Sequence, residues 1–118
     1  MSNNFNMSEE NITMVKGDTL SFGLDIEGLG GQDLDSAFFT CKEVPTSNTH
    51  IFKKSLGDGI TKQSAGKYVI RVSPADTADA IAGMYWYDCR IGLNGDVFTI
   101  MHGVLELLQN VTEEEESE

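Results

Sequence analysis

Cysteine is nearly absent from this chain: Cys41 and Cys89 are the only two in 118 residues, too few for a disulfide framework. Basic residues are scarce as well, with eight lysines and arginines against nineteen acids and a formal net charge of −11. That balance argues against nucleic acid and anionic membrane as partners. No amino-terminal stretch has the basic-then-apolar order of a signal peptide, and no apolar run approaches the ~18 residues of a membrane-spanning helix. The expectation is a protein made in a cytoplasm, with both cysteines as reduced thiols. Internal repeats are missing too.

What is present fits one domain. The chain is 40% apolar, and its length suffices to bury about two-thirds of the unfolded surface. Five acidic charges lie in Glu113-Glu114-Glu115-Glu116-Ser117-Glu118, which leaves −6 for residues 1–112. Residues 113–118 read as a disordered acidic tail and residues 1–10 as a flexible polar segment. Residues 11–112 are the folded part.

The strongest local signal is Asn94-Gly95, flanked by two long apolar, aromatic and β-branched runs. A type I′ hairpin turn needs φ > 0 at both central residues, which this pair accepts. Leu93 then faces Asp96, Ile91 pairs with Phe98, and Cys89 with Ile100. Tyr85, Tyr87, Cys89 and Ile91 share one face, joined by Phe98 and Ile100. Leu105 and Leu107 fall out of phase, so a β-bulge is expected near His102-Gly103.

Upstream, Ile12 to Val15 suggests a short first strand. Alternation then places Leu20, Phe22, Leu24 and Ile26 on one face, and Ala37, Phe39 and Cys41 inward on the next strand. A shorter stretch at 50–56 reads as an edge strand blunted by its two lysines. Tyr68, Ile70 and Val72 face inward on a further strand. Ser73-Pro74-Ala75-Asp76 starts a helical turn, with serine as N-cap and proline at the first helical position. The pattern is all-β: a sandwich of about seven antiparallel strands with one short helical turn.

Catalytic patterns are wanting. His50 and His102 have no Cys, His or acidic partner at metal-ligand spacing. Cys41 and Cys89 fall on inward faces, where a thiol is ordinarily a small core residue. Gly28-Leu29-Gly30-Gly31 lacks the lysine and helix of a phosphate loop. Asp33, Asp35, Asp58 and Asp96 cluster in loops without a calcium-ligand pattern. No enzyme, cofactor or metal is expected. Trp86, Phe38 and Arg90 point outward and are the candidate protein-contact residues, because exposed aromatics carry much of the energy of such contacts.

The order of motifs carries a resemblance. Lys16-Gly17-Asp18-Thr19 precedes an alternating strand, Asp33-Leu34 the next, and Ser73-Pro74-Ala75-Asp76-Thr77 stands before Gly83. Tyr85-Trp86-Tyr87-Asp88-Cys89, Phe98-Thr99-Ile100, Gly103-Val104-Leu105-Glu106-Leu107 and Asn110-Val111-Thr112 follow. Over about residues 12–112 this resembles the immunoglobulin-like domain at the amino terminus of upper baseplate proteins of tailed bacteriophages, and related small phage structural proteins. Tyr87-x-Cys89 after a helical turn also resembles the tyrosine corner and second cysteine of true immunoglobulin domains. Phe22 and Leu24, however, stand where the bridging cysteine would be.

The resemblance implies an immunoglobulin-like sandwich in a virion, docking on other phage structural proteins in several copies or as a homo-oligomer. Baseplate relatives usually continue into further domains, whereas this sequence stops after an acidic tail. A stand-alone tail or baseplate adapter, or a capsid decoration subunit, is therefore expected. The alternative is a small acidic inhibitor that mimics nucleic acid and blocks a host DNA-binding enzyme, motivated by net charge. A carbohydrate-binding module is a thinner third reading, since one tryptophan makes a poor platform.

Overall fold

The computed structural model describes residues 7–112; the acidic segment 113–118 and residues 1–6 lie outside the described residues. Nine strands and one helical turn follow in order: β1 (Ser8–Glu9), β2 (Ile12–Val15), β3 (Leu20–Asp25), β4 (Ser36–Lys42), β5 (Phe52–Leu56), β6 (Gly59–Ser64), β7 (Lys67–Val72), α1 (Pro74–Thr77), β8 (Gly83–Leu93) and β9 (Asp96–Leu108). Their hydrogen-bonded order is β1-β9-β8-β4-β5-β6-β7-β3, with β2 also on β9.

This path folds into two leaves. One is β9-β8-β4-β5 with β1 and β2 on its margin, and the other is β6-β7-β3. An immunoglobulin fold sets its second, fifth and fourth strands against its third, sixth and seventh, and variable-type domains add a further strand beside the third. Here β3-β7-β6 faces β4-β8-β9, and β5 is the added strand. The chain is an all-β, immunoglobulin-like sandwich.

Alternation builds both inner faces. Ala37, Phe39 and Cys41 are buried on β4, and Tyr68, Ile70 and Val72 on β7, as the sequence pattern requires. Phe39 is the centre of the core, with ring centroids 5.6 Å from Phe22, 5.8 Å from Phe52 and 5.4 Å from Tyr87. Truncating such a residue to alanine costs about 3–5 kcal/mol.

Three expectations are corrected. The strands are not all antiparallel: β1 and β2 run parallel to β9, and β5 meets β6 in parallel over two residue pairs. The β5–β6 step is where the chain changes leaf, through a tight turn in which Gly57 and Gly59 take φ of +90° and +98°. Second, part of the segment read as flexible is ordered. Ser8 and Glu9 pair with Met101 and His102, and the Glu10 N–H donates to the His102 carbonyl at 3.0 Å.

Third, the bulge in β9 sits earlier than expected. Asn94 (φ +55°) and Gly95 (φ +86°) make the turn, and Leu93–Asp96 and Ile91–Phe98 pair as read. Arg90 then faces Thr99 but Cys89 faces Met101, so Ile100 is the extra residue. Both Ile100 and Met101 pack toward the core, and Gly103, Leu105 and Leu107 continue inward. Gly103 serves a different purpose. A Cβ there would collide with the Glu10 carbonyl and crowd the Tyr87 ring, so glycine lets the first strand lie against the last.

Candidate functional site

Phe38, Trp86 and Arg90 stand on the outer face of the β9-β8-β4-β5 leaf. Trp86 is 47% exposed and Phe38 36%, values high for side chains of that size. Strand register sets their spacing: Phe38 lies directly across from Arg90, Thr40 from Asp88, and Lys42 from Trp86. On the other flank, Trp86 faces Val104, Asp88 faces His102, and Arg90 faces Thr99. Phe38 and Arg90 are thus immediate neighbours, and Trp86 stands four residue pairs further along on the same face. A groove of about 620 Å³ runs between them.

Lys53 on this face escaped the sequence reading, and Lys42, which alternation puts outward beside Phe38, was not counted among the contact residues. The Lys53 ammonium sits 4.7 Å from the centroid of the Phe38 ring, a cation–π contact that partly covers it. Lys42 lines the same groove, its ammonium donating to the Ser47 carbonyl at 2.9 Å. The available signal was the alternation of β5, which puts Lys53 and Lys54 on opposite faces. Neither serves only to blunt an edge. Lys54 reaches Asp76 with bonds of 2.9 and 3.0 Å, tying β5 to α1.

The Asp76 carboxylate also accepts from the Ser73 N–H at 2.7 Å and the Ser73 hydroxyl at 3.0 Å. Partial burial pushes this carboxyl up. The bonds from Lys54 and Ser73 more than offset that, and its pKa lies below the ordinary value. The serine–proline–aspartate signature therefore anchors a helical turn across the seam between the leaves.

Other chemistry-bearing groups are taken up by the fold. Cys41 and Cys89 are buried free thiols, each pushed up to about 12 by loss of solvent. Tyr87 is raised to about 12, first by burial and then by the nearby Glu10 charge, and its hydroxyl donates to the Glu10 carbonyl at 2.5 Å. Tyr85, not Tyr87, makes the local corner bond, donating to the Ile81 carbonyl four residues upstream. Asp33 pairs with Lys62, and Asp35 accepts from the Asn94 N–H at 2.7 Å. His50 and His102 both line the outer groove. Among the described residues, no group of three or more His, Cys, Asp or Glu could hold a metal ion. No helix there is long and apolar enough to cross a membrane.

A second cleft lies at the opposite margin, between β3 and the β1–β2–β9 margin, lined by Ile12, Leu20, Phe22, Ile26, Ile100 and Met101 among others. It is the open side of the sandwich.

No protein-family model matches the chain, and no curated protein does. Among solved structures, the chain is similar to the extracellular domain of the voltage-gated sodium channel beta4 subunit, which forms parallel homodimers and has a role in cell–cell adhesion. The TM-score is 0.49, with 14% identity over 94% of this chain and 100% of that one.

Proposed function

We propose that the chain is a non-enzymatic structural subunit of a tailed-bacteriophage particle, a tail or baseplate adapter or a capsid decoration subunit. It works by protein–protein docking in several copies, through the outer face of the β9-β8-β4-β5 leaf. The observation that carries docking is the exposure of Phe38 and Trp86 beside Arg90 on a sheet whose strands are paired on both sides. A fully paired sheet presents a rigid surface, so little ordering entropy opposes binding. Large aromatics next to arginine are the residues most often found to dominate contact energies. The order of motifs along the sequence supports placing the subunit in a virion.

The acidic-inhibitor reading rests on net charge alone. Lys42, Lys53 and Arg90 gathered on the most accessible aromatic face argue against it, because a nucleic-acid mimic needs that face acidic.

Particles assembled with the Phe38→Ala/Trp86→Ala variant test the reading. Both side chains are exposed, so the variant should unfold within about 0.5 kcal/mol of the parent in urea. Its copy number in purified particles should nevertheless fall at least about tenfold, the loss expected from removing contact anchors. Undiminished incorporation would sink the proposal, and a purified particle that never contains the chain would sink the virion assignment.

A further inference from the structure

The cleft at the open margin lies between two unpaired strand edges. β3 is bonded to β7 alone, and β1 and β2 to β9 alone. The Ile26 N–H donates to the Gly66 carbonyl at 2.8 Å, which fixes the phase of the β3–β7 ladder. Backbone groups alternate in direction along an antiparallel pair. Leu20, Phe22 and Leu24 therefore bond β7, while Ser21, Gly23 and Asp25 turn their N–H and C=O groups outward. Among the described residues nothing bonds these outward groups. Natural edge strands are ordinarily blunted by lysine, proline or a bulge. β3 has none of them: it reads Leu-Ser-Phe-Gly-Leu-Asp, and its register with β7 is unbroken.

The space beside this edge has the dimensions of one strand. In a sandwich, about six residues of strand fill a slab about 20 Å long, about 4.8 Å wide and about 10 Å deep, or about 960 Å³. The cleft measures about 950 Å³. Leu20 and Phe22 line it from β3, and Ile12, Ile100 and Met101 from the other leaf. Ile12, Leu20, Phe22 and Met101 are only partly buried, so apolar side chains of an added strand would finish covering them. Glu10, Asp25 and Glu27 line the same cleft, and no lysine or arginine does. Lys67 takes up Asp25 at 3.5 Å, which leaves the lining acidic at Glu10 and Glu27.

We propose that the cleft receives an extended segment of a partner protein as an added strand on β3: about six residues, alternately apolar, with basic residues at the ends. Its apolar residues lie beside Leu20, Phe22 and Leu24 and point into the sandwich. Its polar residues lie beside Ser21, Gly23 and Asp25 and exchange backbone bonds with them. The backbone bonds supply affinity, and the alternate side-chain positions supply specificity. β1 and β2 stand across the cleft, so there is width for one strand and not for a second copy's sheet. The site shares no lining residue with the aromatic groove and goes beyond the docking reading without needing it.

The probe is a labelled peptide, Lys-Val-Thr-Val-Thr-Val-Lys, followed by fluorescence anisotropy against the full chain. The control Lys-Val-Val-Val-Thr-Thr-Lys has the same composition without the alternation and should bind at least about tenfold more weakly. Gly23→Pro removes an outward N–H that β7 does not use, where an added Cβ meets nothing within 4 Å. This variant should keep a native circular dichroism spectrum and bind at least about tenfold more weakly. Glu10→Gln/Glu27→Gln should weaken binding about threefold, a difference that fades near ~0.5 M salt. Hydrogen exchange on the parent chain is an independent readout. Saturating peptide should slow the Ser21, Gly23 and Asp25 amides at least about tenfold, and leave Phe22 and Leu24, already bonded to β7, unchanged.

No binding at ~1 mM peptide, equal binding of the control, or protection that misses those three amides would overturn the inference. Unchanged affinity in Gly23→Pro would overturn it as well, by assigning the cleft to a ligand held by side chains alone. Phe38→Ala/Trp86→Ala should bind the peptide as the parent does, so the docking reading can fail without touching this one.

Discussion

Asp76 shows how one carboxylate holds two elements in place. It caps α1 through Ser73 and binds Lys54 on β5, with both charged side chains largely covered. Because its folded pKa is depressed, the stability it contributes is present above the ordinary aspartate value and is lost as pH falls through the folded value. Urea midpoints should therefore decline below about pH 4, and less so in Asp76→Asn. At neutral pH, Asp76→Ala should cost about 1–2 kcal/mol, the usual loss of a cap with a charge-assisted bond. The two cysteines give a second residue-scale prediction. With thiols pushed up to about 12 and fully covered, neither should react with iodoacetamide at pH 8 in the native protein. Both should react once denaturant unfolds the chain, as intact-mass measurement would show.

The final hairpin shows what could be read from sequence at the scale of an element. Asn94-Gly95 located the turn and its first pairs because this residue pair accepts the two positive φ values that a two-residue hairpin loop requires. The phase difference between Phe98 and Leu105 demanded one extra residue, and the structure supplies it at Ile100. Its place was not legible. Any residue between the two phases restores the parity, and Gly103 looked like the break because its true neighbour, the Glu10 carbonyl, comes from the far end of the sequence. A chain lacking Ile100 keeps both halves of the hairpin in register. It should fold at a cost of about 2–4 kcal/mol, since only one buried isoleucine and the local bend are lost. Gly103→Ala should also be destabilising, by about 1–3 kcal/mol, through the forced shift of the first strand. Gly23→Ala, where an added Cβ meets nothing within 4 Å, should change stability by less than about 0.5 kcal/mol. Urea titrations of the three variants check this.

For the molecule as a whole, the sandwich class and the two inner faces were legible because alternation reports burial directly. Pairings between distant strands were not. The parallel contacts of β1 and β2 with β9 join residues over ninety positions apart and leave no local signature. The outer face was half legible. Trp86, Phe38, Arg90 and Lys42 were placed outward by alternation, yet Lys53 joined them only when register brought β4 and β5 together. Lys42 and Lys53 beside Arg90 make the aromatic face an electrostatic surface as well, so the docking proposed for it should weaken as salt rises. Co-sedimentation of the protein with phage particles at increasing ionic strength would measure that slope.

The parallel pairing of β2 with β9 has a mechanical consequence. Ile12 lies beside Leu105 and Val15 beside Leu108, with both strands running the same way. A tension applied between the residues before β1 and those after β9 drags the two strands lengthwise past each other. Their cross-strand bonds then resist together, in shear, instead of parting one at a time like a zipper. Pulled along that axis the domain behaves as a tie-rod; pried at the two-pair β5–β6 step, it yields far sooner.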